Sequence, residues 1–208
     1  MISEIRRNYL REGFNRSDLT PNPISLFRNW FSEALDSEKN DPNAMALATV
    51  DAEGQPTCRI VLLKEISNDG FTFFTNYRSL KGGDIKANNK VAATFFWAEL
   101  ERQVRIVGRT VEISAQLSDN YFFSRPLDSQ ISAMVSPQSS EIDDLEEIKQ
   151  RAQAIRDNKT PIERPLDWGG YLIIPHSIEF WQGGANRLHT RFEYTLEDGE
   201  WSIKQLAP

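Results

Sequence analysis

Hydrophobic positions in this chain switch between two periods. From Asn22 they follow a helical one: Leu26, Phe27, Trp30, Phe31, Ala34 and Leu35 recur every three to four residues, and Pro23 suits a first helical turn. From Met45 the period shortens. Alternating or continuous apolar runs predict strands over 45–50, 57–64 and 71–75, with turns at 51–55 and 68–70. A short helix is predicted over 79–89, with Ser79 as its N-cap. Two more strands follow over 91–97 and 102–113, then a helix over 117–124. Ile142, Leu145, Ile148, Ala152 and Ile155 mark a further helix, acidic at its start and basic at its end, as the helix dipole favours. After Pro161 and Pro165 the strand pattern returns over 171–175, 177–181, 190–195 and 201–206. Five to seven antiparallel strands with peripheral helices predict a mainly β fold, a barrel in one domain. Residues 1–22 are polar and Arg-rich and read as an arm.

Composition narrows the function classes. A net charge of −6 argues against a broad nucleic-acid surface, although locally gathered cations would still bind an anion. The single cysteine, Cys58, excludes a disulfide framework and a multi-cysteine metal site. Its apolar run, C-R-I-V-L-L, predicts a buried, inert thiol. His176 and His189 are the two histidines, too few for a His-rich metal cluster. The N-terminus lacks a signal-peptide core and no apolar run reaches membrane-span length, so the reading is a cytoplasmic protein.

Four stretches carry candidate chemistry. In I-E-F-W-Q-G-G-A-N-R-L-H-T-R, Arg187, His189 and Arg191 are two apart. An extended backbone would aim all three at one face, where they would hold a planar anion and move a proton; the plain alternative is a wet, charged strand face. In R-I-V-L-L-K, Arg59 and Lys64 are five apart, so alternation puts them on opposite faces, toward separate anionic groups. In N-Y-R-S-L-K-G, Ser79 and Lys81 sit at a helix start, where free N–H groups favour a phosphate. In Y-F-F-S-R-P-L-D-S, Tyr121 and Arg125 share a helix face and Ser129 follows. Glycine-rich nucleotide loops, G-x-S-x-G and a paired acid and base are all missing.

With E-R-Q-V-R, V-S-P-Q-S-S, W-G-G-Y and the terminal L-A-P, these blocks, in the same order, resemble the pyridoxine (pyridoxamine) 5′-phosphate oxidase family from about Arg6 to Pro208. The resemblance implies an FMN-binding split β-barrel, homodimeric, with sites at the subunit interface and no nucleic-acid or membrane partner. It implies oxidation of pyridoxine or pyridoxamine 5′-phosphate to pyridoxal 5′-phosphate, with O2 as acceptor and H2O2 as product. Carried over by motif, FMN would meet the run Arg59, Ile60, Val61, Leu62, Leu63 and Lys64, then Phe74, Thr75, Lys81, Gln103, Gln138, Ser139, Trp181 and Arg191. The substrate would meet Lys64, Tyr121, Arg125 and Ser129 at its phosphate, with Arg6 and Tyr9 from an N-terminal lid segment, 1–22. Arg187 and His189 would be the catalytic pair over the substrate ring; residues 23–208 would form the barrel domain with its dimerisation region.

Two positions depart from the family pattern. Leu80 replaces the arginine of S-R-K, which should weaken FMN retention, and Thr190 replaces the aspartate of R-L-H-D-R, which should loosen Arg187 or Arg191. Two other readings compete. One is a related flavin oxidase of the phenazine-biosynthesis type, against which Lys64, Tyr121, Arg125 and Ser129 argue. The other is a non-catalytic FMN or pyridoxal-phosphate carrier, which has no need of Arg187 with His189.

Overall fold

The computed structural model describes residues 1–4, 8–11 and 13–208. Helix α1 (Pro23–Ser37) starts where the pattern places it. Asn22 caps it, accepting a 2.8 Å hydrogen bond from the Ile24 N–H. Its buried face carries Leu26, Phe27, Trp30 and Ala34, while Leu35 is exposed. Phe27 packs edge-on against Phe71 and Phe95, at 4.7 and 5.1 Å between ring centroids, and Trp30 against Phe180 at 5.1 Å. The arm is tied to the body at Phe14 and Thr20. Phe14 is buried between Trp30 and Phe192, and the Tyr194 hydroxyl donates to the Thr20 carbonyl at 2.8 Å.

Nine strands form one antiparallel sheet among the described residues: β1 (Ala44–Val50), β2 (Pro56–Leu62), β3 (Glu65–Ile66), β4 (Phe71–Asn76), β5 (Lys90–Trp97), β6 (Arg102–Glu112), β7 (Trp168–Gln182), β8 (Thr190–Glu197) and β9 (Glu200–Leu206). The main order is β2-β1-β5-β6-β7-β4-β3, and β8 and β9 extend from β7. Alternation places Val91, Ala93, Phe95 and Trp97 of β5 in the core, with Val104 and Ile106 of β6 beside them.

Strand β7 is longer than the pattern predicts. The sequence reads as two strands interrupted near Pro175, but the chain runs through as one. A register shift opposite, between Val107 and Gly108, absorbs the break. Gly108 permits this approach, because a Cβ there would lie 2.3 Å from the Ile174 carbonyl oxygen. β7 therefore pairs with β6, β4 and β8 and carries both Trp168 and Trp181.

Five α-helices sit around the sheet among the described residues: α1, α2 (Leu80–Ala87), α3 (Ala115–Ser124), α4 (Leu127–Val135) and α5 (Leu145–Asp157). Ser79 caps α2, its hydroxyl accepting from the Gly82 N–H. The pattern misses α4, which follows α3 directly across Arg125 and Pro126. α5 begins only at Leu145, capped by Asp144, so Ile142 precedes it. No helix among the described residues is long and apolar enough to cross a membrane.

Candidate functional site

Among the described residues, strand β2 has β1 on one side and no strand on the other. Along this free edge lies a cavity of about 920 Å³, closed by β4, the start of α2, α3 and α4. Arg59, Ile60, Val61, Leu62, Lys64, Phe74, Thr75, Lys81, Tyr121, Arg125, Ser129, Gln138 and Ser139 all line it. Leu63 does not; it turns into the core. Arg59 and Lys64 were expected to serve different sides. Exposure does alternate through β2, yet both residues reach the same cavity, because it runs along the strand's edge rather than over one face. Cys58 is also corrected: it is exposed, on the outer face of this edge strand with Ile60 and Leu62.

One end of the cavity is built around Lys81, which is 7% exposed. Its ammonium donates to Thr75 Oγ1 and Ser79 Oγ, both at 3.1 Å, and to Gln138 Oε1 at 3.4 Å. Burial, and then the nearby Arg59 charge, lower its pKa from the ordinary lysine value. None of its partners carries a negative charge. Arg59 is held by the Leu47 carbonyl at 3.2 Å, by Thr49 Oγ1 at 2.6 Å and by Thr57. Buried Asp84 lies 3.8 Å from Arg59 and accepts hydrogen bonds from the same two threonines. Leu80, at the first position of α2, is 58% exposed and lines the cavity.

The other end is aromatic and cationic. Phe74 stacks on Tyr121 at 3.8 Å and on Trp168 at 5.5 Å. The Arg125 guanidinium sits 4.7 Å from the Trp168 ring centroid. Its Nη1 is buried without a hydrogen-bond partner, and burial lowers its pKa. A desolvated guanidinium nitrogen left unpaired is costly unless an anion completes it. The W-G-G-Y run gives Trp168 no role by itself; its place opposite Asn76 on β4 brings it here. Arg164 fixes it further, donating to the Trp168 carbonyl at 2.5 Å and to Asp119 at 2.6 Å.

The remaining candidates gather elsewhere. Gln103 of β6 pairs with Trp181 of β7, which faces Arg191 of β8. Tyr9, Trp181 and His189 form a ring cluster, with centroids 4.6 to 5.7 Å apart. None of these residues, nor Arg187, lines the β2 cavity. Arg6 lies outside the described residues.

The expected alternation of Arg187, His189 and Arg191 fails here. Ala185–Arg187 is a 3-10 turn in which Asn186 and Arg187 have φ of 56° and 65°, and β8 starts only at Thr190. Gly184 is still extended; the left-handed backbone at Asn186 and Arg187 is what breaks the run before it can set a two-residue period. His189 is fixed instead by the Gly184 N–H, which donates to Nδ1 at 3.1 Å. In the neutral ring the proton therefore sits on Nε2. Arg187 is exposed. Arg191 donates to buried Glu179 at 2.8 and 3.2 Å and to the Ala207 carbonyl at 2.8 Å. The Glu179 bond raises its pKa. Glu179 also takes Arg105. Arg191 is thus anchored without help from position 190. Glu179 was missed, although an acid inside the apolar run S-I-E-F-W signals a buried partner.

Comparison with known proteins agrees with this geometry. Residues 31–159 match the family model described as pyridoxamine 5′-phosphate oxidase. Residues 168–208 match the one described as the pyridoxine 5′-phosphate oxidase C-terminal dimerisation region. A pyridoxine/pyridoxamine 5′-phosphate oxidase of Cupriavidus taiwanensis is 48% identical over 210 residues, covering all of this chain and 99% of that protein. One from Teredinibacter turnerae is 49% identical over 209 residues, with the same coverage. Among solved structures, PhzG from Burkholderia lata 383, in complex with tetrahydrophenazine-1-carboxylic acid, gives a TM-score of 0.89 at 29% identity, over 92% of this chain and 95% of that one. A pyridoxamine 5′-phosphate oxidase-related, FMN-binding protein from Nostoc punctiforme gives 0.72 at 18% identity, over 91% and 99%, and shares the fold. With two family models reaching from residue 31 to the C-terminus and relatives nearly half identical end to end, the chain belongs to the pyridoxamine 5′-phosphate oxidase family.

Proposed function

We propose that this protein is an FMN-dependent oxidase. It converts pyridoxine 5′-phosphate or pyridoxamine 5′-phosphate to pyridoxal 5′-phosphate and passes the electrons to O2. The observation that carries this reading is one cavity with two separate cationic ends. Lys81 is desolvated at one, with neutral partners only, and Arg125 has an unpaired buried Nη1 at the other. A phosphomonoester carries roughly −1.5 to −2 charges. Two such ends suit two phosphorylated molecules lying together.

The residues fit FMN. Lys81 and Arg59, with Thr75, Gln138 and Ser139, would hold its phosphate. The sheet leaves the outer N–H and C=O groups of β2 unpaired, and these would meet the edge of a flat ring system. When bound, FMN would supply the acceptor for a hydride from substrate C4′, with O2 as the final electron acceptor and H2O2 as the product.

The chain's own residues bind and orient. Arg125, with Lys64, Tyr121 and Ser129, would take the substrate phosphate. The Phe74–Tyr121–Trp168 stack walls that end of the cavity and would keep water from the bound ring. His189, with Nδ1 occupied, would offer Nε2–H to a substrate oxygen or nitrogen, and exposed Arg187 would lie over the ring. Gln103, Trp181 and Arg191 would complete the cofactor's surroundings. These two groups of residues do not meet within one protomer, so the reading requires a homodimer in which a second copy closes each cavity. The matched dimerisation region supports that requirement. Residues 1–22 would act as the lid and residues 23–208 as the barrel domain.

PhzG supports a second reading, a flavin oxidase acting on another ring substrate, through its TM-score of 0.89. One experiment separates them. The purified protein is loaded with FMN, and pyridoxine 5′-phosphate is added without oxygen. Bleaching of the flavin band, followed on aeration by colour and equimolar H2O2, is expected. A stable yellow protein that ignores both phosphorylated substrates would favour the second reading.

A further inference from the structure

We propose that Glu101 is a positioning residue. It latches the N-terminal segment onto the Trp181–His189 cluster and so sets how often Tyr9 covers it. Glu101 ends the turn between β5 and β6 and is buried. Its φ is 54°, in the left-handed region that a side chain with a Cβ disfavours. A buried charge on a strained backbone persists only when its surroundings require it.

What it does there is specific. Its Oε2 accepts hydrogen bonds from two successive backbone amides, Leu10 at 2.9 Å and Arg11 at 3.0 Å. Its own carbonyl accepts from the Gly183 N–H at 2.7 Å and from Gln182 Nε2 at 3.1 Å. One residue therefore joins the arm, through its side chain, to the end of β7, through its backbone. Leu10 and Arg11 are themselves exposed, so these bonds add nothing to the core.

The arm's cargo is Tyr9. Its ring meets Trp181 at 5.6 Å and His189 at 5.7 Å. Gly183 leaves room for it: a Cβ there would lie 2.7 Å from Tyr9 Cγ. Tyr9 is thus held by the charge-assisted bonds of Glu101 one and two residues on and by the space Gly183 leaves.

The inference deepens the proposed function and rests on its reading that the His189 cluster faces the substrate. If the docked arm is the binding-competent state, apparent affinity falls in proportion to the docked fraction. Weakening the latch should then raise KM while saturating substrate restores kcat.

The test uses the FMN-loaded dimer and three variants. Glu101→Gln removes the charge. Glu101→Gly removes the carboxylate but suits the positive φ and keeps the carbonyl. Gly183→Ala unseats Tyr9 and leaves the carboxylate in place. Hydrogen exchange at the Leu10 and Arg11 amides is read together with steady-state kinetics on pyridoxine 5′-phosphate. Exchange in the two Glu101 variants should rise at least about tenfold, as expected for losing a charge-assisted bond. KM should rise about tenfold in all three, with kcat within about threefold of the parent and Tm nearly unchanged. Unaltered exchange in Glu101→Gly overturns the latch, as does faster exchange with an unchanged KM. A joint fall of kcat and Tm would assign Glu101 to the fold instead. If the parent protein turns over neither substrate, the proposed function fails, and the exchange data still decide the latch.

Discussion

The β2 cavity and the Trp181–His189 cluster use their cations in opposite ways. In the cavity, Lys81 has only neutral partners and Arg125 has a bare buried nitrogen, so positive charge is left uncompensated. In the cluster, Arg191 is paired with Glu179, which it shares with Arg105, and His189 is tied by a backbone amide. On the proposed function, the first would be an anion receptor assembled within one chain, and the second an orienting surface that a second copy brings to it. Affinity for phosphate should therefore reside in the cavity, and control of ring geometry in the cluster.

Truncating Arg125 should break this division most sharply. Arg125→Ala should lower kcat/KM for pyridoxine 5′-phosphate about 100-fold, roughly 2.7 kcal/mol, because it removes a desolvated charge–phosphate bond. A steady-state titration that shows the loss in kcat alone would put the residue on the wrong side of the comparison.

Lys81→Met should raise the FMN dissociation constant by about 30-fold at neutral pH, measured by fluorescence quenching. The difference should shrink as pH rises. Burial and Arg59 lower the Lys81 pKa, so its ammonium is present below that value and lost above it, earlier than for an ordinary lysine. An FMN affinity gap that stays constant up to the ordinary lysine range would contradict this.

His189→Asn should act the other way, lowering kcat about tenfold with KM changed less than about threefold. An equal loss of substrate affinity would make the cluster a second receptor. The smallest effect belongs to Leu80→Arg. An extra cation at the α2 start should tighten FMN binding about fivefold, consistent with its exposure at the cavity mouth. An unchanged affinity would show that Lys81 and Arg59 already saturate the phosphate.

Much of the cavity is legible in the sequence because its parts are local. Ser79 and Lys81 sit at a helix start, and Tyr121 and Arg125 are four residues apart, so short-range geometry brings each pair together, although Arg125 is the extended C-cap just past α3 rather than a residue on its face. The cluster is not legible in this way. Arg187, His189 and Arg191 invite a strand reading, but positive φ at Asn186 and Arg187 turns the chain before β8 begins. Cys58 misled because an apolar run implies burial only where something packs over the strand's face, and the face of β2 that carries Cys58, Ile60 and Leu62 is exposed. Trp168, Glu179 and Glu101 take their roles from partners 47, 12 and 91 residues away, Tyr121, Arg191 and Leu10 respectively.

By itself, the amino-acid order determined the helix and strand periods, the caps at Asn22 and Ser79, and the types of charge available for phosphate, because these depend on residues a few positions apart. Only the tertiary structure decided that Arg59 and Lys64 share a cavity, that Glu179 takes up the charge of Arg191, and that Glu101 holds the backbone of Leu10 and Arg11. Those outcomes depend on which strand lies at an edge and which segments cross in space, and sheet order is set by burial of the whole core rather than by any local pattern.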